Sequence, residues 1–184
     1  MKKGKLIIAL FLFISTYGSA QTKGENLYLT ENGKIFINGV LADTSVQLVS
    51  QNLYALLNYD DAKFTLKVDI SSFSTGNHYI DSILKKTKST TIDLSGKFDM
   101  NYINTVGHPP IDFLVDGLLS SSNKMINGNG RLEHLSDQSS FSCLLTLSFV
   151  LDKKDIGYDF SEVDLDNEIK VEIIQIVMKR LDGF

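Results

Sequence analysis

The sequence predicts an all-β domain, an antiparallel β-barrel of about eight strands with one short helix. Two observations carry that reading. Apolar and polar residues alternate with a period of two through most of the chain after residue 27, and helical spacing interrupts the pattern once. Successive strands with no helices between them pair antiparallel, and about eight in one domain must close or stack to hide their edges. A single helical insertion in a long meander favours closure.

In chain order, Leu27 to Thr30 and Lys34 to Gly39 read as strands joined at Glu31-Asn32-Gly33, because Asn-Gly suits a tight hairpin. Val46 to Val49 and Leu53 to Tyr59 read as two more, the second ending at the turn Asp60-Asp61. Phe64, Leu66, Val68 and Ile70 then alternate with Lys63, Thr65, Lys67 and Asp69, as a strand with one buried and one wet face requires. From Asn77 to Lys88 the period changes. Ile80, Ile83 and Leu84 stand at helical spacing, Asn77 suits an N-cap, Asp81 sits in the first turn, and Lys85, Lys86 and Lys88 crowd the last.

Alternation resumes with Ile92, Leu94 and Phe98, where Gly96 marks a bulge or a close approach. Ile111 to Leu119 and Met125 to Leu132 follow, with Ser120 to Asn123 as a turn and Asn127-Gly128-Asn129-Gly130 read as turn residues. Phe141, Cys143, Leu145, Leu147, Phe149 and Leu151 line one face of the next segment. Ile169, Val171 and Ile173 alternate in the last one, after which Ile174, Ile176 and Met178 take the opposite phase, and a bulge or a second packing layer would explain the switch.

Ahead of this domain, Lys2, Lys3 and Lys5 precede the apolar run Leu6 to Ile14, and Gly18-Ser19-Ala20 follows. That is the layout of a secretory signal peptide, expected to be cleaved after Ala20. The run is about half the ~18 residues that span a bilayer, so no stable membrane span is expected. Residues 21 to 184 then form one domain, periplasmic or extracellular. Losing three Lys and no acid takes the formal charge from -4 to -7, which argues against a nucleic-acid partner. A lone Cys excludes a disulfide framework and a multi-thiolate metal site, and Cys143 on an apolar strand face reads as a small buried hydrophobe.

Catalytic and cofactor signatures do not emerge. His78, His108 and His134 lie far apart and read as surface or loop imidazoles. No Ser stands in a nucleophile elbow, and the glycines open no phosphate-binding helix. The chain is therefore expected to be no enzyme and to need no cofactor or metal. What remains is the interior, because a barrel of about eight strands can hold one small ligand. Phe64, Leu66, Val68, Ile92, Leu94, Phe113, Val115, Phe141, Leu145 and Leu147 would line it.

The run Lys63 to Asn77, followed by His78 to Lys85, resembles the strand-then-helix core of the YceI-like family. Ser148 to Gly157 with Asp166 to Ile173 is similar to that family's closing strands, and Met125 to Leu132 to its central glycine-containing strand. The likeness spans roughly residues 27 to 180 and departs from the family at Lys86 to Asp93 and at Leu132 to Ser136. It implies a divergent member with a lipocalin-like barrel, exported to the periplasm, of a kind in which some members enclose isoprenoid chains.

The expectation is then a secreted, non-enzymatic barrel holding an apolar or amphiphilic small molecule, an isoprenoid-type lipid among the options. Asn77, His78 and Asp81 would stand near a polar head group. The competing expectation is a packed β-domain acting through its surface. An outward Leu144, Val150, Ile174 and Ile176 would then meet a partner or a second copy in a homodimer.

Overall fold

The computed structural model describes residues 26–41, 43–86, 90–104, 109–137, 140–156 and 165–181, of which residues 136, 137, 140 and 141 are described in their backbone only. The signal segment, Lys88, His108 and the side chain of Phe141 lie outside the described residues. Eight strands follow one another: β1 (Leu27–Leu41), β2 (Thr44–Asn58), β3 (Lys63–Asp69), β4 (Thr91–Phe98), β5 (Ile111–Leu119), β6 (Lys124–Asp137), β7 (Ser140–Asp152) and β8 (Glu168–Arg180). Each pairs antiparallel with the next, and β8 returns to β1 to close the barrel. One α-helix, α1 (His78–Lys86), and short 3-10 turns at Ile70–Ser72 and Lys153–Ile156 lie in the connections.

The hairpin expected at Asn32-Gly33 is not there. Leu27 to Leu41 is one strand, and the residues read as two strands in 46–59 are likewise one strand, β2. The register explains the misreading. Thr30 faces Ala55 but Gly33 faces Leu53, so β1 carries an extra residue, and Ile35 faces Ser50, so β2 carries one at Gln51-Asn52. Each bulge reverses the inward phase: Tyr28 gives way to Ile35 and Ile37, and Leu48 and Ser50 give way to Leu53, Ala55 and Leu57, all buried. A broken alternation in the sequence is a bent, continuous strand in space.

Of the bulge and the second packing layer that would explain the phase switch near the C-terminus, the structure has the bulge. Leu145 faces Ile176 while Leu147 faces Ile173. Gln175 takes a φ of 49°, and its N–H donates to the Thr146 hydroxyl at 3.1 Å. The phase change returns Ile176 and Met178 to the core at 4% and 0% exposure. Ile176 is therefore not an outward residue. Ile174 and Val177 face solvent instead, with Val150, while Leu144 is half-buried.

Gly128 and Gly130 are not turn residues. They stand inside β6, where a Cβ would meet the Phe149 ring at 2.4 Å and the Phe113 ring at 2.3 Å. Gly96 marks the close approach its sequence position suggests. It pairs with Phe64 on one side and Gly117 on the other, and a Cβ there would sit 2.1 Å from the Asp116 carbonyl oxygen. Because the obstacle is backbone, Gly96→Ala must shift a strand. The expected cost is about 2 kcal/mol or more, read as a lower urea midpoint at unchanged m-value.

Candidate functional site

The two ends of the barrel differ. Where β1 begins, aromatic rings fill the interior. Tyr28 stacks on Tyr59 at 3.9 Å between centroids, Phe98 lies between Phe64 at 5.4 Å and Phe113 at 4.0 Å, and all five are buried. The Tyr59 hydroxyl and His134 Nε2 share a 3.0 Å hydrogen bond. His134 is thus no loop imidazole: it stands on β6 opposite Cys143, bonded to a buried phenol. Burial pushes the Cys143 thiol up to about 12 and moves the Tyr59 hydroxyl upward as well.

Towards the other end, where β7 stops, an apolar cavity of about 30 Å³ remains. Leu66, Val68, Ile92 and Leu94 border it, as expected of interior residues. Phe64, Phe113, Val115, Leu145 and Leu147 are also buried, but within the packed interior and not at the cavity. The wall includes residues not singled out by sequence: Ile35, Ile37, Phe149, Val171 and Ile173, together with Ile156 of the Lys153–Ile156 turn. Alternation at 34 to 39, 141 to 151 and 169 to 173 carries a signal for the first group. Nothing in the sequence marked Ile156, which follows two lysines and an aspartate.

The polar trio at the helix start serves the helix. Asn77 Oδ1 accepts from the Tyr79 and Ile80 N–H groups at 2.9 and 3.4 Å, capping α1. Asp81 accepts from the Ser74 hydroxyl and from both the N–H and hydroxyl of Thr75, at 2.7 to 2.9 Å. Burial raises its carboxyl, but these donors outweigh burial and hold it below its ordinary value. His78 is exposed, and none of the three borders the cavity.

A cavity of this size holds a water or two, whereas ligand pockets run to about 300–1,000 Å³. In this closed form the barrel is a nearly filled core. The described surface adds apolar residues outside it, among them Leu118 directly opposite Met125 on β5 and β6. Among the described residues, no helix is long and apolar enough to cross a membrane.

Fold and interior together define a closed, lipocalin-like eight-stranded barrel. No family model matches the sequence, and no curated protein matches it. Among solved structures, a polyisoprenoid binding domain from Saccharophagus degradans implicated in plant cell wall breakdown has the same fold. Its TM-score is 0.61 at 9% identity, over 86% of this chain and 99% of that one. BcnA of Burkholderia cenocepacia is similar at a TM-score of 0.52 and 11% identity, over 82% of this chain and 96% of its own. The barrel implied by the YceI-like resemblance is the fold this chain has.

The thiol gives a prediction with a definite sign. The folded pKa of Cys143 lies above its ordinary 9.0, so the neutral thiol's contribution is complete below about pH 9 and is lost as pH rises toward 12. Tyr28 and Tyr59, also raised, add to the loss above 10. The urea midpoint is expected to hold from neutral pH to about 9 and then fall, less steeply in Cys143→Ala. In the same vein, a thiol reagent at pH 8 should label Cys143 only after urea unfolds the chain.

Proposed function

We propose that the protein is an exported, non-enzymatic barrel of the YceI-like family that holds an apolar or amphiphilic chain, of the polyisoprenoid class, in its interior. The observation that carries this is the cavity: an apolar space at one end of a closed barrel, bordered by Leu66, Val68, Ile92 and Leu94 with apolar partners from six other elements. The shared fold with a polyisoprenoid binding domain supports the ligand class. The apolar run between the N-terminal lysines and Ala20 supports export.

Affinity would come from burial. At about 25 cal/mol per Å² of apolar surface, a chain burying several hundred Å² contributes on the order of 10 kcal/mol before ordering costs. Part of that gain goes to widening an interior that is nearly full. Phe64, Phe113, Val115, Leu145 and Leu147 are the next layer such a chain would reach.

A second reading has its own observation: the filled interior beside the outward Leu118–Met125 pair suits a barrel that works by surface contact, as a homodimer or on an envelope protein. Native mass spectrometry of protein exported to a bacterial periplasm and purified without detergent separates the two. The ligand reading expects an adduct of lipid mass at one per chain, with Val68→Phe cutting occupancy about tenfold at an unchanged fold. Bare protein that stays bare with polyprenols and isoprenoid quinones, and weighs twice the chain by light scattering, would replace it with the second.

A further inference from the structure

One member of the cavity wall is not held by the barrel ladder. Every lining residue except Ile156 stands on β1 to β5, β7 or β8. Moving any of those breaks interstrand hydrogen bonds on a closed sheet, which leaves backbone groups unpaired. Ile156 instead ends the 3-10 turn Lys153–Ile156, directly after β7, with its side chain 1% exposed against the cavity. Among the described residues Ile156 itself pairs with no strand.

Among the described residues, four polar contacts tie that turn to elements other than β7, on which Lys154 pairs with Asp152. The Lys124 ammonium, at the start of β6, pairs with Asp155 Oδ2 at 2.5 Å, and the Ser121 hydroxyl donates to the Asp155 carbonyl at 2.7 Å. On the other side the Lys153 N–H donates to the Asn167 carbonyl at 2.7 Å, and its ammonium donates to the Leu165 carbonyl. The Asp155 carboxylate is 7% exposed while the Lys124 side chain is half in solvent. Outward movement of the turn would hydrate both ions, and that hydration offsets most of the lost attraction.

From this geometry we propose that the Lys153–Ile156 turn is the displaceable plug of the barrel. An apolar chain takes the space of Ile156, and the Lys124–Asp155 pair with the Ser121 hydroxyl is the latch that sets how readily the plug leaves. This rests on the interior-ligand reading above, since a plug matters only if something replaces it. It also places ligand uptake at the cavity end beside β6, away from the aromatic end.

The test is stopped-flow uptake of dansyl-tagged farnesol by the full chain, as wild type and as Lys124→Ala, Ser121→Ala and Ile156→Ala, with the urea midpoint of each. The latch variants are expected to take up the probe several-fold faster than wild type, roughly three- to tenfold. Ile156→Ala should be faster still, with tighter binding because no plug has to leave. Wild-type uptake with unchanged rates in all three variants overturns the plug and leaves the interior reading standing. Lower urea midpoints without faster uptake make these contacts structural only and overturn it too. No uptake by any of the four proteins overturns the plug together with the interior reading.

Discussion

The return of β8 to β1 is the constraint on which the rest of the molecule depends. Ile35 faces Ile173, Ile37 faces Val171 and Asn38 faces Lys170 along this seam, while Tyr28 faces Arg180 at its far end. With the seam made, neither β1 nor β8 presents an open edge there, and one face of all eight strands is committed to a shared interior. An inward face must then stay apolar along strands up to fifteen residues long. Twisted strands of that length hold such a phase by inserting single residues, and bulges in β1, β2 and β8 do this.

That device is also why the sequence is legible in some places and not in others. Short strands without bulges, such as β3, show clean alternation and read correctly, as does α1 from its cap, spacing and terminal lysines. Glu31-Asn32-Gly33 carries turn chemistry, and only pairing with β2 on both sides of it shows that the strand runs through. Gly128 and Gly130 misled for a different reason: glycine beside asparagine signals a turn locally, but here the missing side chains make room for Phe149 and Phe113 across the ladder. Ile176 could be placed inside only by knowing that Gln175 is the extra residue. Each failure is a local signal overruled by a partner strand distant in sequence.

The candidate site divides the same way. Leu66, Val68, Ile92 and Leu94 are legible because alternation marks the inward face and the cavity lies among inward residues. Which inward residues border a space, and which pack solidly, depends on how side chains from opposite walls meet. Ring stacking at one end and the Tyr59–His134 hydrogen bond consume the room there, so the space is left at the other. Asn77 is legible as the cap of α1, and that capping, with the Ser74-Thr75 loop on Asp81, uses the hydrogen bonds a head group would need. A closing residue such as Ile156 has no periodic neighbours and is visible only in three dimensions.

In the proposed function this interior exchanges its own packing for an apolar chain. A crystal structure of the exported protein grown with a polyprenol tests it most directly. Continuous density is expected between Ile37, Leu94 and Val171, with the Lys153–Ile156 turn shifted outward and the aromatic end unchanged. An interior identical to the closed form, with the polyprenol lying across Leu118 and Met125 on the outer face, would contradict it.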